Sequence, residues 1–230
     1  MRFGLQKLTL LDYPGMVGCT VFSCGCNFRC PFCHNASLVT GKADTLEYDL
    51  SEISAFLKKR QGLLDGVCLT GGEPLLNPEM LTIAGEARKL GYKVKLDTNG
   101  SMPELLEELI LEKKIDYVAM DIKNSPEKYP QSCGVDNALE NIRKSVDILL
   151  RKQIPFEFRT TVTGNLHDET DFAAIGQWIA GADKYFLQPF ADSGDILGGN
   201  PENFAVSDEQ MQHFLKVVKK FIPNAAIRGK

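Results

Sequence analysis

Four of the seven cysteines fall within ten residues, at Cys24, Cys26, Cys30 and Cys33. In the run Cys26-Asn27-Phe28-Arg29-Cys30-Pro31-Phe32-Cys33, three thiols are spaced by four positions and then by three. A tight turn with that spacing directs three thiolates onto one face of an iron–sulfur cubane, while Pro31 and the aromatic residues exclude water. Three ligands leave one iron open, and an open corner lets a cluster bind substrate as well as relay electrons. Catalytic zinc sites keep a position free by the same logic. The competing arrangement is a zinc knuckle closed by Cys24 as fourth ligand. Otherwise Cys24 is expected to pack beside the cluster. Cys19, Cys68 and Cys133 are scattered and read as small buried hydrophobes.

Further groups that could carry chemistry each follow an apolar run: Gly71-Gly72-Glu73-Pro74, Asp97-Thr98-Asn99-Gly100, Asp121-Ile122-Lys123, Arg159 to Thr163, and Gln188-Pro189-Phe190. A zinc knuckle gives no reason for them. The glycine pair is expected to let backbone approach a ligand, and Glu73 can accept from a cationic amine. Carboxylates are costly to bury unpaired, so Asp97 and Asp121 are expected to meet a cation, a hydroxyl or a basic residue. An Asp–Lys structural pair is the plain alternative. Arg159 is expected to bind a carboxylate, either a ligand's or a structural acid's. His167 and His213 receive no role.

The elements that must position these groups follow from period and punctuation. Short β-branched or apolar runs predict strands at 17–22, 66–70, 93–98, 117–121, 156–162 and 184–188. Amphipathic stretches predict helices at about 51–60, 78–90, 103–112, 137–152, 168–179 and 207–221. Asn77 before Pro78 reads as a helix start, Ser207 with Gln210 as a capping box, and Gly91 as a stop. Strict β/α alternation implies a parallel sheet covered by helices. Because polar groups follow nearly every strand end, an incomplete (β/α)6 TIM-type barrel explains the pattern better than an open sheet with one switch point.

The 230 residues carry 26 Lys and Arg against 30 Asp and Glu, a net charge of −4, which argues against broad nucleic-acid binding. With 43% hydrophobic and 24% charged residues, the chain is expected to fold compactly. No apolar run approaches the roughly 18 residues of a membrane span, and the opening lacks the form of a signal peptide. A cytoplasmic protein without membrane or nucleic-acid partners is expected. No linker or repeat is visible, so residues 1–230 read as one domain, with a cysteine loop at 24–35 and a C-terminal helical segment at about 207–222.

Cys26, Cys30 and Cys33 form a CxxxCxxC signature, by which the chain resembles the radical S-adenosylmethionine (radical SAM) superfamily. The wider run from Gly25 to Asn35 looks like the glycyl-radical activating enzymes. The opening Gly4-Leu5-Gln6-Lys7, with Asp12-Tyr13-Pro14-Gly15, is similar to activating proteins of anaerobic ribonucleoside-triphosphate reductases. The resemblance covers about residues 4 to 190. It implies a [4Fe–4S] cluster on the three cysteines and reductive cleavage of SAM to a 5′-deoxyadenosyl radical. That radical would take an α-hydrogen from a glycine of a partner, an anaerobic class III ribonucleotide reductase, with no catalytic residue beyond cluster and SAM. The electron would come from a flavodoxin or ferredoxin, because no second cysteine-rich insert is visible.

The resemblance also implies cofactor contacts. Gly71, Gly72, Glu73 and Pro74 form a GGE motif for the methionine amino group, and Phe32 abuts adenine, with backbone of Cys33 and His34 alongside. Asp121, Ile122 and Lys123 lie near SAM, Arg159 meets its carboxylate, and Asp97, Thr98 and Asp121 surround a monovalent cation. Pyruvate formate-lyase activating enzymes carry a histidine after a Pro-aromatic pair near the ribose. Here Ala191 follows Pro189-Phe190, so Gln188 is expected to supply that hydrogen bond. Two rivals are a radical SAM enzyme acting on a metabolite, such as a 7-carboxy-7-deazaguanine synthase, and a non-catalytic zinc or iron–sulfur module.

Overall fold

The computed structural model describes residues 2–42, 44, 46–198 and 200–229. They group into two compact units, the first made of Met1–Asn27, Ser37–Thr98 and Glu104–Val118, the second of Phe28–Ala36, Asn99–Pro103 and Ala119–Lys230.

The first unit contains strands β1 (Gly4–Thr9), β2 (Gly18–Ser23), β3 (Gly66–Gly71) and β4 (Lys93–Thr98). β1 runs antiparallel to β2, with Gly4 opposite Phe22, while β2, β3 and β4 are parallel, with Gly18, Gly66 and Lys93 in register. The short helix α1 (Ala36–Thr40) is followed by α2 (Leu50–Arg60), α3 (Pro78–Lys89) and α4 (Pro103–Leu111). Ile53 and Leu57 of α2, and Ile83 and Ala87 of α3, recur at i, i+4 and are buried, as are Val67, Leu69, Val94 and Leu96 of the strands. Capping is local: Asp49 and Glu52 form a capping box on α2, and Asn77 accepts from the Glu79 N–H ahead of Pro78 on α3. Each such cap is worth about 1 kcal/mol. Gly91, at φ 88°, ends α3 as expected.

Strand β5 (Tyr117–Asp121) begins in the first unit and ends in the second. The second unit continues with α5 (Tyr129–Cys133), α6 (Leu139–Leu150), β6 (Phe156–Val162), α7 (Glu169–Trp178), β7 (Tyr185–Pro189), α8 (Asp208–Val218) and β8 (Ala226–Ile227). β6, β7 and β8 are parallel, with Phe158 opposite Tyr185 and Phe186 opposite Ala226. Phe172 of α7 stacks on Phe214 of α8 with ring centroids 4.6 Å apart. Ser207 and Gln210 form the expected capping box on α8.

Three strands, β4, β5 and β6, have the expected ends, and β2, β3 and β7 differ by one residue at one or both ends. The expectation of six strands is corrected to eight among the described residues. β1 lies at an edge, with Gln6, Lys7 and Leu8 exposed, so its sequence lacks the apolar pattern of a buried strand. β8 has only two residues and is defined by its pairing with β7. The antiparallel β1 also breaks the strict β/α alternation. No helix among the described residues is long and apolar enough to cross a membrane.

Candidate functional site

In the first unit, the end of β3 lies directly against the chain that leads into Cys26. Gly72 N–H donates to the Ser23 carbonyl at 3.0 Å, and Glu73 N–H donates to the Gly25 carbonyl at 2.8 Å. A Cβ on Gly72 would stand 2.0 Å from the Gly25 oxygen, and one on Gly71, which has φ +123°, would stand 2.2 Å from the Ser23 oxygen. The glycines are therefore required by neighbouring backbone.

Glu73 is completely buried. Its carboxylate accepts from Thr98 Oγ1 at 2.8 Å and from the Leu75 N–H at 3.2 Å, so it caps the single turn Pro74–Leu76 that follows. Lys95 and Asp97 alternate with Thr98 along β4 and so point to the sheet's other face. There Lys95, only 2% exposed, pairs with Asp97, and both polar groups lie near the Cys68 thiol. The i, i+2 spacing puts Lys95 and Asp97 on one face of β4. Lys95 has no counterpart in the sequence-based expectations, although a lysine two positions before an aspartate in an apolar strand carries that signal.

In the second unit, Cys30, Phe32, Cys33 and His34 lie on a loop tied down at both ends. On one side the Arg29 N–H donates to the Cys133 carbonyl at 2.8 Å. Gly134, at φ 72°, approaches Arg29 so closely that a Cβ would be 2.4 Å from its oxygen. On the other side, Leu197 N–H donates to the Cys33 carbonyl and Gly198 N–H to the Pro31 carbonyl, both at 3.1 Å, while the Ser193 hydroxyl donates to the His34 carbonyl at 2.7 Å. Phe32 is buried and meets Phe204 edge-on, with centroids 6.4 Å apart. The His34 ring is pushed toward the neutral form first by burial and then by the Lys123 charge.

Asp121, at the end of β5, accepts from Arg159 Nε at 2.9 Å and from Lys123 Nζ at 3.0 Å. Burial would raise its carboxyl pKa, but the two cations outweigh that and hold it well below the usual range. Burial opposes the Lys123 charge, whereas Asp121 and then Cys30 favour it, and the net direction is upward. The structural Asp–Lys pair and the structural acid for Arg159 are both present. Ile122 is buried, its N–H bound to the Arg159 carbonyl and its own carbonyl accepting from Thr160 Oγ1. Gln188 shares a cavity of about 280 Å³ with His34, Thr161, Ser193 and Arg228.

The donor set suits an iron–sulfur cluster. Cys30 is buried and Cys24, Cys26 and Cys33 are half-buried thiols. Lys123, whose charge interacts with Cys30, favours thiolate there. The close approach of Gly72 to Gly25 fixes the chain next to Cys26.

The Radical SAM superfamily model matches residues 20–175, and the chain belongs to that superfamily. A candidate glycyl-radical enzyme activating enzyme of Methanocaldococcus jannaschii is 34% identical over 98% of this chain and 94% of its own length. A 7-carboxy-7-deazaguanine synthase of Geobacter sulfurreducens is 26% identical over 77% of this chain and 75% of its own. Among solved structures, a domain of a pyruvate-formate lyase-activating enzyme from Bacteroides vulgatus superposes with TM-score 0.58 at 21% identity, covering 71% of this chain and 99% of that one. The fold is accordingly the partial TIM-type barrel of radical SAM enzymes. The chain is an enzyme of the glycyl-radical activating class, using a [4Fe–4S] cluster and S-adenosylmethionine. A non-catalytic module is thereby set aside.

Proposed function

We propose that this enzyme activates an anaerobic class III ribonucleoside-triphosphate reductase by removing an α-hydrogen from one of its glycines. Cys26, Cys30 and Cys33 hold the cluster, which when bound supplies one electron and an open iron for reductive cleavage of S-adenosylmethionine. Glu73 binds the methionine ammonium, with Gly71, Gly72 and Pro74 fixing its place. Arg159 meets the methionine carboxylate, with Asp121 and Lys123 alongside. Phe32 and Ile122 provide apolar surface for adenine, and Gln188, with the backbone of Cys33 and His34, provides hydrogen-bonding groups. Asp97 and Thr98 complete the polar end of β4, where the resemblance adds a monovalent cation. The electron comes from a flavodoxin or ferredoxin in the cytoplasm.

The observation that carries this reading is the fully buried Glu73 carboxylate on a backbone hydrogen-bonded to Gly25, one residue before Cys26. A buried carboxylate beside a prospective cluster ligand suits an ammonium-bearing cofactor that must also reach the cluster. The test has two stages. Protein reconstituted anaerobically with iron and sulfide should form 5′-deoxyadenosine from SAM when dithionite is added. After incubation with the reductase, electron paramagnetic resonance should then show a glycine-centred doublet. Cleavage without the doublet would reject the partner and direct attention to a metabolite substrate.

A further inference from the structure

The segment that leaves β5 carries Asp121 and Lys123, and its backbone is gripped by side chains from β6 and the loop beyond. Thr160 Oγ1 donates to the Ile122 carbonyl at 2.7 Å and itself accepts from the Tyr185 hydroxyl at 2.7 Å. One residue further, the carbonyl of Lys123 lies 3.0 Å from Nε2 of His167. The opposite ring nitrogen, Nδ1, lies 3.1 Å from the Thr163 N–H. A backbone N–H can only donate and a carbonyl can only accept, so this pair of contacts fixes one tautomer: Nδ1 accepts and Nε2–H donates. The ring is 4% exposed and lies 5.5 Å from Phe172, tilted by 30°.

We infer that His167 is a positioning residue for the reaction: as the Nε2–H tautomer it holds the Lys123 carbonyl and so sets the direction in which Lys123 and Asp121 face the cofactor. The inference rests on the proposed contact of these two residues with S-adenosylmethionine. Lys123 also has a weak N–H contact to the Tyr129 hydroxyl at 3.4 Å, and Asn124 Nδ2 donates to the Leu166 carbonyl at 2.9 Å. His167 therefore supplies the hydrogen bond to the peptide group that joins Lys123 to the buried Asn124 anchor. Burial pushes its pKa down, against the backbone contacts and Asp171, so the donor–acceptor pattern persists through the physiological range.

The experiment compares His167→Phe, which keeps a ring and loses both hydrogen bonds, with His167→Gln, whose amide can donate to Lys123 and accept from Thr163. Each is reconstituted anaerobically as the full chain, and SAM dissociation constants are measured by equilibrium dialysis beside iron content, kcat and KM. His167→Phe should raise both the dissociation constant and KM about tenfold with unchanged iron content, and His167→Gln should stay within about threefold of wild type. Equal loss in both variants, or wild-type affinity in folded His167→Phe, would overturn the inference. A readout independent of the cofactor is nitrogen NMR of the three histidines. His167 should show the Nε2–H tautomer from pH 7 to 8.5, and a Nδ1–H form would overturn the assignment. If wild-type protein binds no SAM while the tautomer is as stated, it is the proposed function that fails.

Discussion

The carbonyl of Gly25 and the Cα of Gly72 are so close that a methyl group on Gly72 would sit 2.0 Å from the oxygen. This contact couples the GGE turn to the chain entering Cys26. Gly72→Ala must therefore displace one from the other, and overpacking of this kind costs about 1–3 kcal/mol or more. The variant should melt several degrees lower and retain less than half of the wild-type iron after reconstitution. Wild-type iron content at an unchanged melting temperature would show that the turn and the cysteine loop are not coupled.

Glu73 serves two functions that different substitutions separate. Its side chain accepts from Thr98 and from the Leu75 N–H, and in the proposed reading it also carries the negative charge for an ammonium group. Glu73→Gln keeps an acceptor and the shape while losing the charge. It should melt within a few degrees of wild type yet bind SAM at least tenfold more weakly. Glu73→Ala should also lose about 1–3 kcal/mol of stability, the usual consequence of removing a buried hydrogen-bonding partner. Calorimetry and equilibrium dialysis on both variants decide the point, and unaltered SAM affinity in Glu73→Gln would remove Glu73 from the cofactor site.

The cysteines and strand-end groups were legible because their types and spacings are local, and the parallel strands because buried strands read as apolar runs. What was not legible depends on long-range approach. Nothing adjacent to Gly72 in sequence says that its neighbour is Gly25, forty-seven positions earlier. His167 lies in a polar loop whose partner, the Lys123 carbonyl, has no side-chain signature at all. β1 was missed for the opposite reason: as an exposed edge strand it has little to bury, so its sequence has little pattern.

The four clustered cysteines separate a three-ligand cluster from a four-ligand zinc site. Cys26→Ser, Cys30→Ser and Cys33→Ser should each lose most bound iron and all SAM cleavage. Cys24→Ser should keep both, because Cys24 sits half-buried with the absent Cβ of Gly41 only 3.5 Å from its sulfur, in a packing position. Iron and zinc are counted by elemental analysis after anaerobic purification. Loss of metal in Cys24→Ser equal to that in Cys30→Ser would establish four protein ligands and contradict an open iron.

Lys95 and Asp97 are both largely buried, so neither charge is tolerable alone. Lys95→Met leaves the Asp97 carboxylate without its ammonium and should cost about 3–5 kcal/mol, the range for breaking a buried ion pair. Adding Asp97→Asn removes the orphaned charge and should restore more than half of the loss. Urea unfolding of the four members of the cycle measures the coupling. Additive losses would mean that the two side chains are stabilised independently of each other.

Acid sensitivity follows from His167. Its pKa is pushed down mainly by burial, whereas in the unfolded chain the ring titrates at about 6.5. Below that pH the unfolded chain binds a proton that the folded chain refuses, so stability is fully present above about pH 6.5 and declines as the pH falls. His34 is pushed in the same direction by burial and by Lys123, and adds to the decline. His167→Gln should therefore show a shallower loss of unfolding free energy between pH 7.5 and 5 than wild type, but not a flat profile. Parallel curves for the two proteins would mean that the buried ring takes up its proton in the folded state as readily as in the unfolded one.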